Sequence, residues 1–518
     1  MIENLILQNY KAYEDVSIPI KPLTIFLGAN SVGKSSIIQM LMLLHQTAEE
    51  YRGTYTSAFK IYGEYVNVGS FDNLLRDKNV KYPLSMTICI ANNELYELFK
   101  KCRLEFVNDF LGAGIMFPSS KYPSQLQKDI YTREGFLKYI TEFISAVSKA
   151  SKKDNQLQSY LQYRLDMHLD LSDHNSIGEI MRCYDFRDRL SKISKSEYEI
   201  SFQLIVEDER LKIKKIRFSI PDSYVILDVE IKTDSNIKIS SDFSLLPNDI
   251  AHIKNVINFN NTIFDVLDSS EEAPGSTLAS SFICKIARLL ISQLQDDFRG
   301  ERINYVSPLR AHPKRYYMLD KAKMSISLDT LDGDAIAEVL KENRGVKRNV
   351  NEWFSKFGFK IDVSEFREVI HHMNVTQNGL SLDITDVGFG ISQVLPIIIQ
   401  GFLSDEDSLT IIEQPEIHLH PTMQADLGDL FIDIVESGDK RLVIETHSEY
   451  LLRRIRRRIS EGKINKDDVA ICLFHPKTKE KPAWVEILDI GEKGNFKWPE
   501  EFYGGELYND TVEFLKNQ

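Results

Sequence analysis

A glycine-rich segment constrains what this chain can fold into more than any other feature. Residues 28–35 read G-x-x-x-x-G-K-S, between an apolar run typical of a buried strand and an apolar run typical of a helix. In that context the glycines let backbone N–H groups turn toward a phosphate, and the helix N-terminus adds partial positive charge. The alternative, an ordinary strand-to-helix turn with a surface lysine, explains the apolar flanks less well.

The residue types of this segment predict how it would hold a nucleotide. Lys34 is expected to reach the β and γ phosphates, and Ser35 is expected to offer its hydroxyl to Mg²⁺. We therefore predict ATP and Mg²⁺ as cofactors. The predicted nucleotide contacts here are Gly28, Asn30, Ser31, Gly33, Lys34, Ser35 and Ser36.

Composition narrows the class of protein. A chain of 518 residues with 43% hydrophobic content is expected to form two or three domains. Its five cysteines show no paired spacing, which favours a reducing cytoplasm over a disulfide framework or a zinc site. No apolar run approaches the roughly 20 residues of a membrane span. The net charge of −13 argues against a generally basic DNA-coating protein, although a local basic groove stays open.

The order of patterns divides the chain into four predicted segments. Residues 1–20 alternate as a hairpin would, and Lys11 and Tyr13 in its polar middle either contact a base or ribose or form a solvated turn. Residues 96–195 have helical spacing and residues 196–240 alternate like a β-meander. The predicted segments are an N-terminal lobe (1–84), a helical and β insertion (85–300), a C-terminal lobe (301–465) and a strand-rich tail (466–518).

A second glycine-containing turn, G-F-G-I-S-Q at residues 388–393, precedes an apolar helix expected to start near Ser392. Gly390 and Ser392 would place small, hydroxyl-bearing groups at a helix N-terminus, which is another anion site. Taken alone, the turn is better explained as a serine-capped buried helix.

Two buried strands near the C-terminus end in polar residues. The first ends at Glu413, where a carboxylate beside a phosphate loop would hold Mg²⁺ through water. Glu416 follows, and we assign a structural role to His418 and His420 because no third metal ligand is evident. The second strand leads to His447, a position from which an imidazole can hydrogen-bond a γ-phosphate or its attacking water.

Two groups of basic residues leave alternatives open. An arginine run in residues 453–458 either suits a helix C-terminus electrostatically or forms a face for DNA or a partner. Arg310, Lys314 and Arg315 follow a predicted strand and either meet phosphate across a subunit boundary or form surface ion pairs.

The motifs together carry a resemblance to a known family. The order of phosphate loop, long insertion, G-F-G-I-S-Q, E-Q-P-E-I-H-L-H-P and E-T-H-S resembles the ABC-type ATPases of the overcoming-lysogenization-defect (OLD) family. Their heads are similar to those of structural-maintenance-of-chromosomes and recombination-protein-F proteins. The resemblance covers about residues 1–75 and 300–518. It implies an α/β fold, namely an ABC-type P-loop ATPase head with a large helical and β-meander insertion.

The resemblance also implies a composite site. Two nucleotides would lie head to tail between the chains of a dimer or higher oligomer, each bound by residues 28–36 of one chain. Gly390 and Ser392 of the other chain would close over the γ-phosphate. Glu413 would take the Mg²⁺-associated acidic position and His447 the switch-histidine position.

One departure from the family pattern bears on catalysis. Many ABC-type ATPases carry a water-polarising glutamate where this chain has Gln414. A neutral amide orients water but does not accept its proton, so we expect slow hydrolysis unless Glu416 or another group substitutes. The predicted role is a nucleotide-gated clamp or sensor more than a motor. The predicted catalytic residues are Lys34, Glu413, Gln414, Glu416 and His447.

Members of the resembled family often carry a metal-dependent nuclease, which needs a glutamate and a D-x-D. The residues after His447 contain no D-x-D, so we expect an ATPase without its own nuclease. The chain resembles the ATPase subunits of bacterial antiphage systems such as Septu or PARIS, whose effector is a separate polypeptide. The alternatives are a DNA-repair or chromosome-associated ATPase that clamps DNA, and a module that uses ATP only as structural glue.

Overall fold

The computed structural model describes residues 1–50, 55–93, 175–190, 196–233, 236–267, 277–310, 312–318, 333–367 and 370–497, with a few single positions outside these ranges. The described strands are β1 (Ile2–Tyr10), β2 (Tyr13–Pro19), β3 (Leu23–Leu27), β4 (Leu84–Ala91), β5 (Glu197–Glu207), β6 (Arg210–Ile220), β7 (Tyr224–Thr233), β8 (Asn236–Ser240), β9 (Ile303–Val306), β10 (Tyr317–Met318), β11 (Phe359–Arg367), β12 (Ile370–Gln377), β13 (Leu380–Asp383), β14 (Leu409–Glu413), β15 (Arg441–Glu445), β16 (Val469–His475) and β17 (Trp484–Ile487).

The described helices are α1 (Lys34–Ala48), α2 (Asn175–Leu190), α3 (Pro247–Val256), α4 (Leu278–Phe298), α5 (Gly333–Glu342), α6 (Arg344–Ser355), α7 (Phe389–Leu403), α8 (Pro421–Glu436) and α9 (Glu449–Ser460). The predicted α/β class is confirmed. The chain divides into two compact units. The head unit comprises Glu3–Glu49, Ile61–Asn79 and Asp296–Gln518, and the insertion unit comprises Met1–Ile2, Glu50–Lys60 and Val80–Gln295.

The head unit is built on a six-stranded sheet in the order β17-β16-β3-β15-β14-β9. β3, β9, β14, β15 and β16 run parallel, and β17 joins β16 antiparallel. All five residues of β3 and of β14 are buried, as expected for parallel strands covered on both faces. The carboxyl ends of these strands therefore share one edge of the sheet, which is where ligands bind in open α/β folds.

A second, four-stranded antiparallel sheet in the head unit has the order β10-β12-β11, with β13 also paired to β12. One apolar cluster joins α5, α6, α7 and α8 with residues of both sheets, for example Val350, Ile398, Ile412 and Phe431. This shared core gives the loops at the sheet edge a rigid support.

In the insertion unit, β4 to β8 pair in sequence as antiparallel neighbours. Alternating burial along β4 and β5 explains why the period-two pattern predicted a β-meander here, and that prediction is confirmed. Most of the helical prediction for residues 96–195 lies outside the described residues, apart from α2. None of the helices described is long and apolar enough to cross a membrane.

Candidate nucleotide site

The glycine-rich segment, here called the phosphate loop (residues 28–35), joins β3 to α1. Gly28 has φ +138°, and a Cβ there would lie 2.6 Å from the carbonyl oxygen of Phe474. Gly33 has φ +109° and is the residue before α1. Both positions therefore require glycine, for backbone conformation and for space. Asn30, Ser31 and Ser35 are exposed at the surface of the loop.

Lys34 is folded back into the phosphate loop. Its Nζ donates to the carbonyl oxygens of Gly28 at 2.9 Å and Ala29 at 2.8 Å, and lies 3.6 Å from Glu445 Oε1. Burial lowers the pKa of Lys34, while the negative charges of Glu445, Glu416 and Glu413 offset part of that shift. The cation is thus held at the strand edge by acceptors that a phosphate can replace.

Two carboxylates meet beside the phosphate loop. The parallel register places Glu413 directly opposite Glu445 at the ends of β14 and β15. Ser35 Oγ lies 3.4 Å from Glu445 Oε2, and the Tyr305 hydroxyl donates to Glu413 Oε1 at 2.6 Å. Burial, with the neighbouring Glu445, raises the pKa of Glu413. A hydroxyl with two carboxylates is an all-oxygen donor set, which suits Mg²⁺.

The reasoning from sequence assigned no role to Glu445. The available signal was a second buried strand ending in a carboxylate, but strand order decides whether two such ends are neighbours. Because β15 lies between β3 and β14, Glu445 contacts the phosphate loop directly, whereas Glu413 reaches it across Glu445.

The turn after β14 has an unusual backbone. Gln414 has φ +46°, in the left-handed region that non-glycine residues rarely adopt. Its N–H donates to the carbonyl oxygen of Glu445 at 2.7 Å. Glu416 accepts from the Thr446 hydroxyl at 2.8 Å and from the His447 N–H at 2.6 Å. Glu416 thereby ties the turn after β14 to the turn after β15.

His447 lies in that second turn. Its Nε2 is buried without a hydrogen-bond partner among the described residues. Burial lowers the pKa of His447, and the positive charge of Lys34 lowers it further. The neutral imidazole is therefore favoured beside the phosphate loop. His420, in contrast, caps α8 by accepting from the Thr422 N–H at 3.3 Å, which is a structural role as the sequence reasoning assigned.

The second glycine-containing turn differs from its prediction. α7 begins at Phe389, three residues before the expected start, and its N-cap is Gly388 with no side-chain cap. Ser392 lies inside the first turns of the helix and is buried, so the serine-cap interpretation is wrong. At Gly390 a Cβ would lie 2.8 Å from the carbonyl oxygen of His418, so this glycine allows the turn after β14 to pack closely on α7.

Tyr13 lies against the phosphate loop, and Lys11 lies in the turn between β1 and β2, where it is half-buried. Tyr13 is fully buried, and its hydroxyl lies 3.4 Å from the carbonyl oxygen of Val32. A Cβ on Gly33 would overlap that hydroxyl, so the ring supports the loop from below. Lys11 hydrogen-bonds Gln39 on α1. Both residues therefore contact the loop or its helix.

The arginine run on α9 is largely paired within the head unit. Arg454 Nη1 lies 2.6 Å from Asp429 Oδ2, and Arg458 meets the same carboxylate at 2.6 and 2.7 Å. Further ion pairs join Arg453 to Glu449, Arg454 to Asp426 and Arg457 to Glu461. These contacts favour the electrostatic role in the fold over a face for DNA.

The second basic group separates into two kinds of residue. Lys314 pairs with Asp334 at 3.0 Å and Arg315 with Asp386 at 2.6 Å, both at the surface. Arg310 is buried instead and donates to the carbonyl oxygens of Glu413 and Gln414. The surface alternative therefore holds for two of the three residues.

A family model described as "AAA ATPase domain" matches residues 1–452. The chain belongs to this family. It is therefore an ATPase of the AAA type, which confirms the predicted class at that level and places the phosphate loop within a nucleotide-binding family. The comparison with curated proteins found no match.

Solved structures similar to this AAA ATPase include heads of structural-maintenance-of-chromosomes (Smc) proteins. The Smc head bound to the C-winged helix domain of ScpA is 12% identical over 95% of this chain and 98% of that chain, with a TM-score of 0.37. The head from Thermotoga maritima is 7% identical over 94% and 99%, with a TM-score of 0.33. The head with an extended coiled coil from Pyrococcus furiosus is 11% identical over 99% of each chain, with a TM-score of 0.32. These likenesses assign no function.

Proposed function

We propose that the chain binds ATP with Mg²⁺ at the edge formed by β3, β15 and β14 and hydrolyses it slowly. The observation that carries this proposal is the contact of Lys34 and Ser35 with the strand-end carboxylate of Glu445, which lies directly opposite Glu413 in the sheet. In this proposal Ser35 and Glu413 hold the metal, as the sequence predicts, and Glu445 lies beside them. A bound Mg²⁺ would neutralise charge on the phosphates. Lys34 would exchange its carbonyl acceptors for phosphate oxygens.

Slow hydrolysis follows from the turn after β14. Gln414 orients water without accepting its proton, and Glu416 has both carboxylate oxygens engaged by Thr446 and His447. We expect Gln414→Glu to raise phosphate release about tenfold or more, because a general base contributes 10²–10⁴-fold where its geometry is right. Gln414→Ala is the matched control and should not raise it. Fast basal turnover that survives Gln414→Ala but not Glu416→Ala would overturn the assignment of Gln414.

We propose further that two chains close around their nucleotides, with Gly390 and Ser392 of one chain over the γ-phosphate bound by the other. The start of α7 supports this, since its N-cap residue Gly388 provides no side-chain cap and a helix N-terminus favours an anion. Mass should be measured by light scattering with ATP and Mg²⁺, with ADP and without nucleotide. ATP-driven assembly that is lost in Lys34→Ala supports the composite site. A protein that stays monomeric in ATP, with or without Lys34, contradicts it.

As a biological role we propose the sensor or scaffold subunit of a bacterial antiphage complex with a separate effector protein. The support is the motif order shared with the OLD-like ATPases. The test is protection of a phage-infected host by this chain with its genetic neighbours, compared with Lys34→Ala. Equal protection by the variant would overturn the role. DNA affinity that falls steeply with salt would instead favour a DNA clamp, for which the paired arginines of α9 offer no support.

A further inference from the structure

Arg310 occupies the same sheet edge as the proposed nucleotide site. It follows β9, whose carboxyl end lies beside that of β14 in the parallel sheet. The residue is only 5% exposed. Burying a guanidinium is costly unless its N–H groups and its charge are compensated. The position of Arg310 therefore calls for a compensating group.

The compensation within the described chain is incomplete. Arg310 Nη2 donates to the carbonyl oxygens of Glu413 at 2.7 Å and Gln414 at 3.1 Å. Its Nε and Nη1 are buried without a hydrogen-bond partner among the described residues. Burial lowers the pKa of Arg310 to about 10, with Glu416 offsetting part of the shift. The three N–H groups on these two nitrogens thus remain for an acceptor that carries negative charge.

A matched arginine lies at the opposite end of the same strands. Arg302 precedes β9, and its Nη1 donates to the carbonyl oxygens of Glu406 and Asp407, both at 3.1 Å. Its side chain is 45% exposed and lies 3.5 Å from the Asp407 carboxylate. Arg302 therefore donates to two consecutive carbonyl oxygens, as Arg310 does. Its positive charge, unlike that of Arg310, is compensated by a carboxylate and by exposure to solvent.

The order of the strands relates Arg310 to the phosphate loop. Lys34 follows β3 and Arg310 follows β9, and the ends of β15 and β14 lie between them. Both oxygens of Glu416 are already engaged by Thr446 and His447. Arg310 and Lys34 therefore flank the ends of β14 and β15 from opposite sides.

We propose that Arg310 binds the terminal phosphate of the nucleotide held by the phosphate loop of the same chain, through an N–H group of Nε or Nη1. These two N–H groups diverge, so one of them would donate a charge-assisted hydrogen bond to a phosphate oxygen, which is roughly twice as strong as a bond between neutral groups. The hydrogen bonds from Arg310 Nη2 to the carbonyl oxygens of Glu413 and Gln414 would then link γ-phosphate binding to the turn after β14. This inference rests on the proposed ATP site.

The test compares nucleotides with and without the terminal phosphate. Affinities for AMP-PNP and for ADP, both with Mg²⁺, should be measured by calorimetry on wild type, Arg310→Gln and Arg302→Gln at concentrations where light scattering gives one chain per particle. We expect Arg310→Gln to weaken AMP-PNP binding about tenfold and to change ADP binding less than about twofold. Arg302→Gln should change neither affinity, although it also removes an arginine that donates to two consecutive carbonyl oxygens.

Equal weakening of AMP-PNP and ADP in Arg310→Gln would overturn the inference, because it would mark a purely structural role. Unchanged binding of both nucleotides would overturn it as well. An effect confined to assembled particles would reject the assignment to the same chain. If Arg310→Gln does not fold, Arg310→Lys supplies the same comparison with the charge retained. A wild type that binds neither nucleotide overturns the proposed ATP site itself, which distinguishes the two failures.

Discussion

Two helices of the head unit, α1 and α7, begin at glycine-containing turns, but the two turns are built differently. The phosphate loop before α1 takes left-handed backbone at Gly28 and Gly33. The turn before α7 has ordinary backbone at Gly388, and its Gly390 matters because His418 packs against it. Glycine is therefore required by backbone conformation as well as by space at the first helix, and by close approach alone at the second.

The two helices also differ in charge. α1 contains two buried ionisable residues, Lys34 and His45, whereas α7 contains no ionisable residue. Lys34 lies 3.6 Å from the Glu445 carboxylate at the end of β15, while the start of α7 offers neutral polar groups such as Ser392 and Gln393. The first site therefore has its counter-charge within one chain. The second, in our proposal, acts on a phosphate that another chain holds.

The largest effect is expected at the first helix. Lys34→Ala removes a buried cation that would bond the phosphates, so we expect ATP affinity to fall on the order of 100-fold. Calorimetry measures the affinity of the wild type and of the variant for ATP. Lys440→Ala is a matched control, since Lys440 is also buried but donates to the carbonyl oxygen of Gly401 near the end of α7. If Lys34→Ala and Lys440→Ala lose ATP affinity equally, the proposed difference in phosphate binding between α1 and α7 is wrong.

The next effect concerns packing at the second helix. Gly390→Ala places a methyl group 2.8 Å from the carbonyl oxygen of His418, so we expect a loss of about 1–3 kcal/mol in the free energy of unfolding. Gly388→Ala is the control, because a Cβ there meets nothing within 4 Å. Urea denaturation compares the two. A tolerated Gly390→Ala would show that the turn after β14 moves freely against α7.

A smaller effect is expected from the hydroxyl of Ser392. Removing one hydrogen bond to a charged group costs about 1.5–3 kcal/mol, so Ser392→Ala should weaken ATP-driven assembly by about tenfold or more. The affinity of the monomer for ATP should stay within about twofold of wild type. Light scattering over a concentration series measures the first and calorimetry the second. Loss of monomer affinity would place Ser392 in its own chain's site.

The smallest expected effect is a pH dependence of the free energy of unfolding that arises from a histidine in α1. α7 has no ionisable residue that could produce one. Burial lowers the pKa of His45, although the Phe298 carbonyl at 2.7 Å and the charges of Glu49 and Glu64 offset part of the shift. The unfolded chain binds the proton first, so the stabilising contribution is complete above about pH 6.5 and is lost as pH falls through the lower folded-state pKa. His45→Asn keeps a donor toward Phe298 without titrating. Its stability, measured by urea denaturation from pH 7 to 5, should fall less than that of wild type.

Local patterns in the sequence were enough to locate the elements that carry the site. The glycine spacing located the phosphate loop, and the apolar runs before Glu413 and Glu445 located their strands, because turn chemistry and burial of a parallel strand are encoded by adjacent residues. The start of α7 was misplaced because a serine inside a helix carries the same local signal as a serine at its cap. The predicted segment boundaries and the roles of the site residues stay predictions.

The tertiary structure alone decided which strand ends are neighbours and which charges are buried. Ser35 and Glu445 meet although they are 410 residues apart, since β15 inserts between β3 and β14. Arg310 and Arg315 look alike in sequence, yet one is buried against the turn after β14 and the other is an exposed partner of Asp386. Strand order and burial arise from packing across the whole head unit, which no local pattern records. The residue types set the chemistry that the chain carries, and the order of the strands in the sheet sets which of those residues meet.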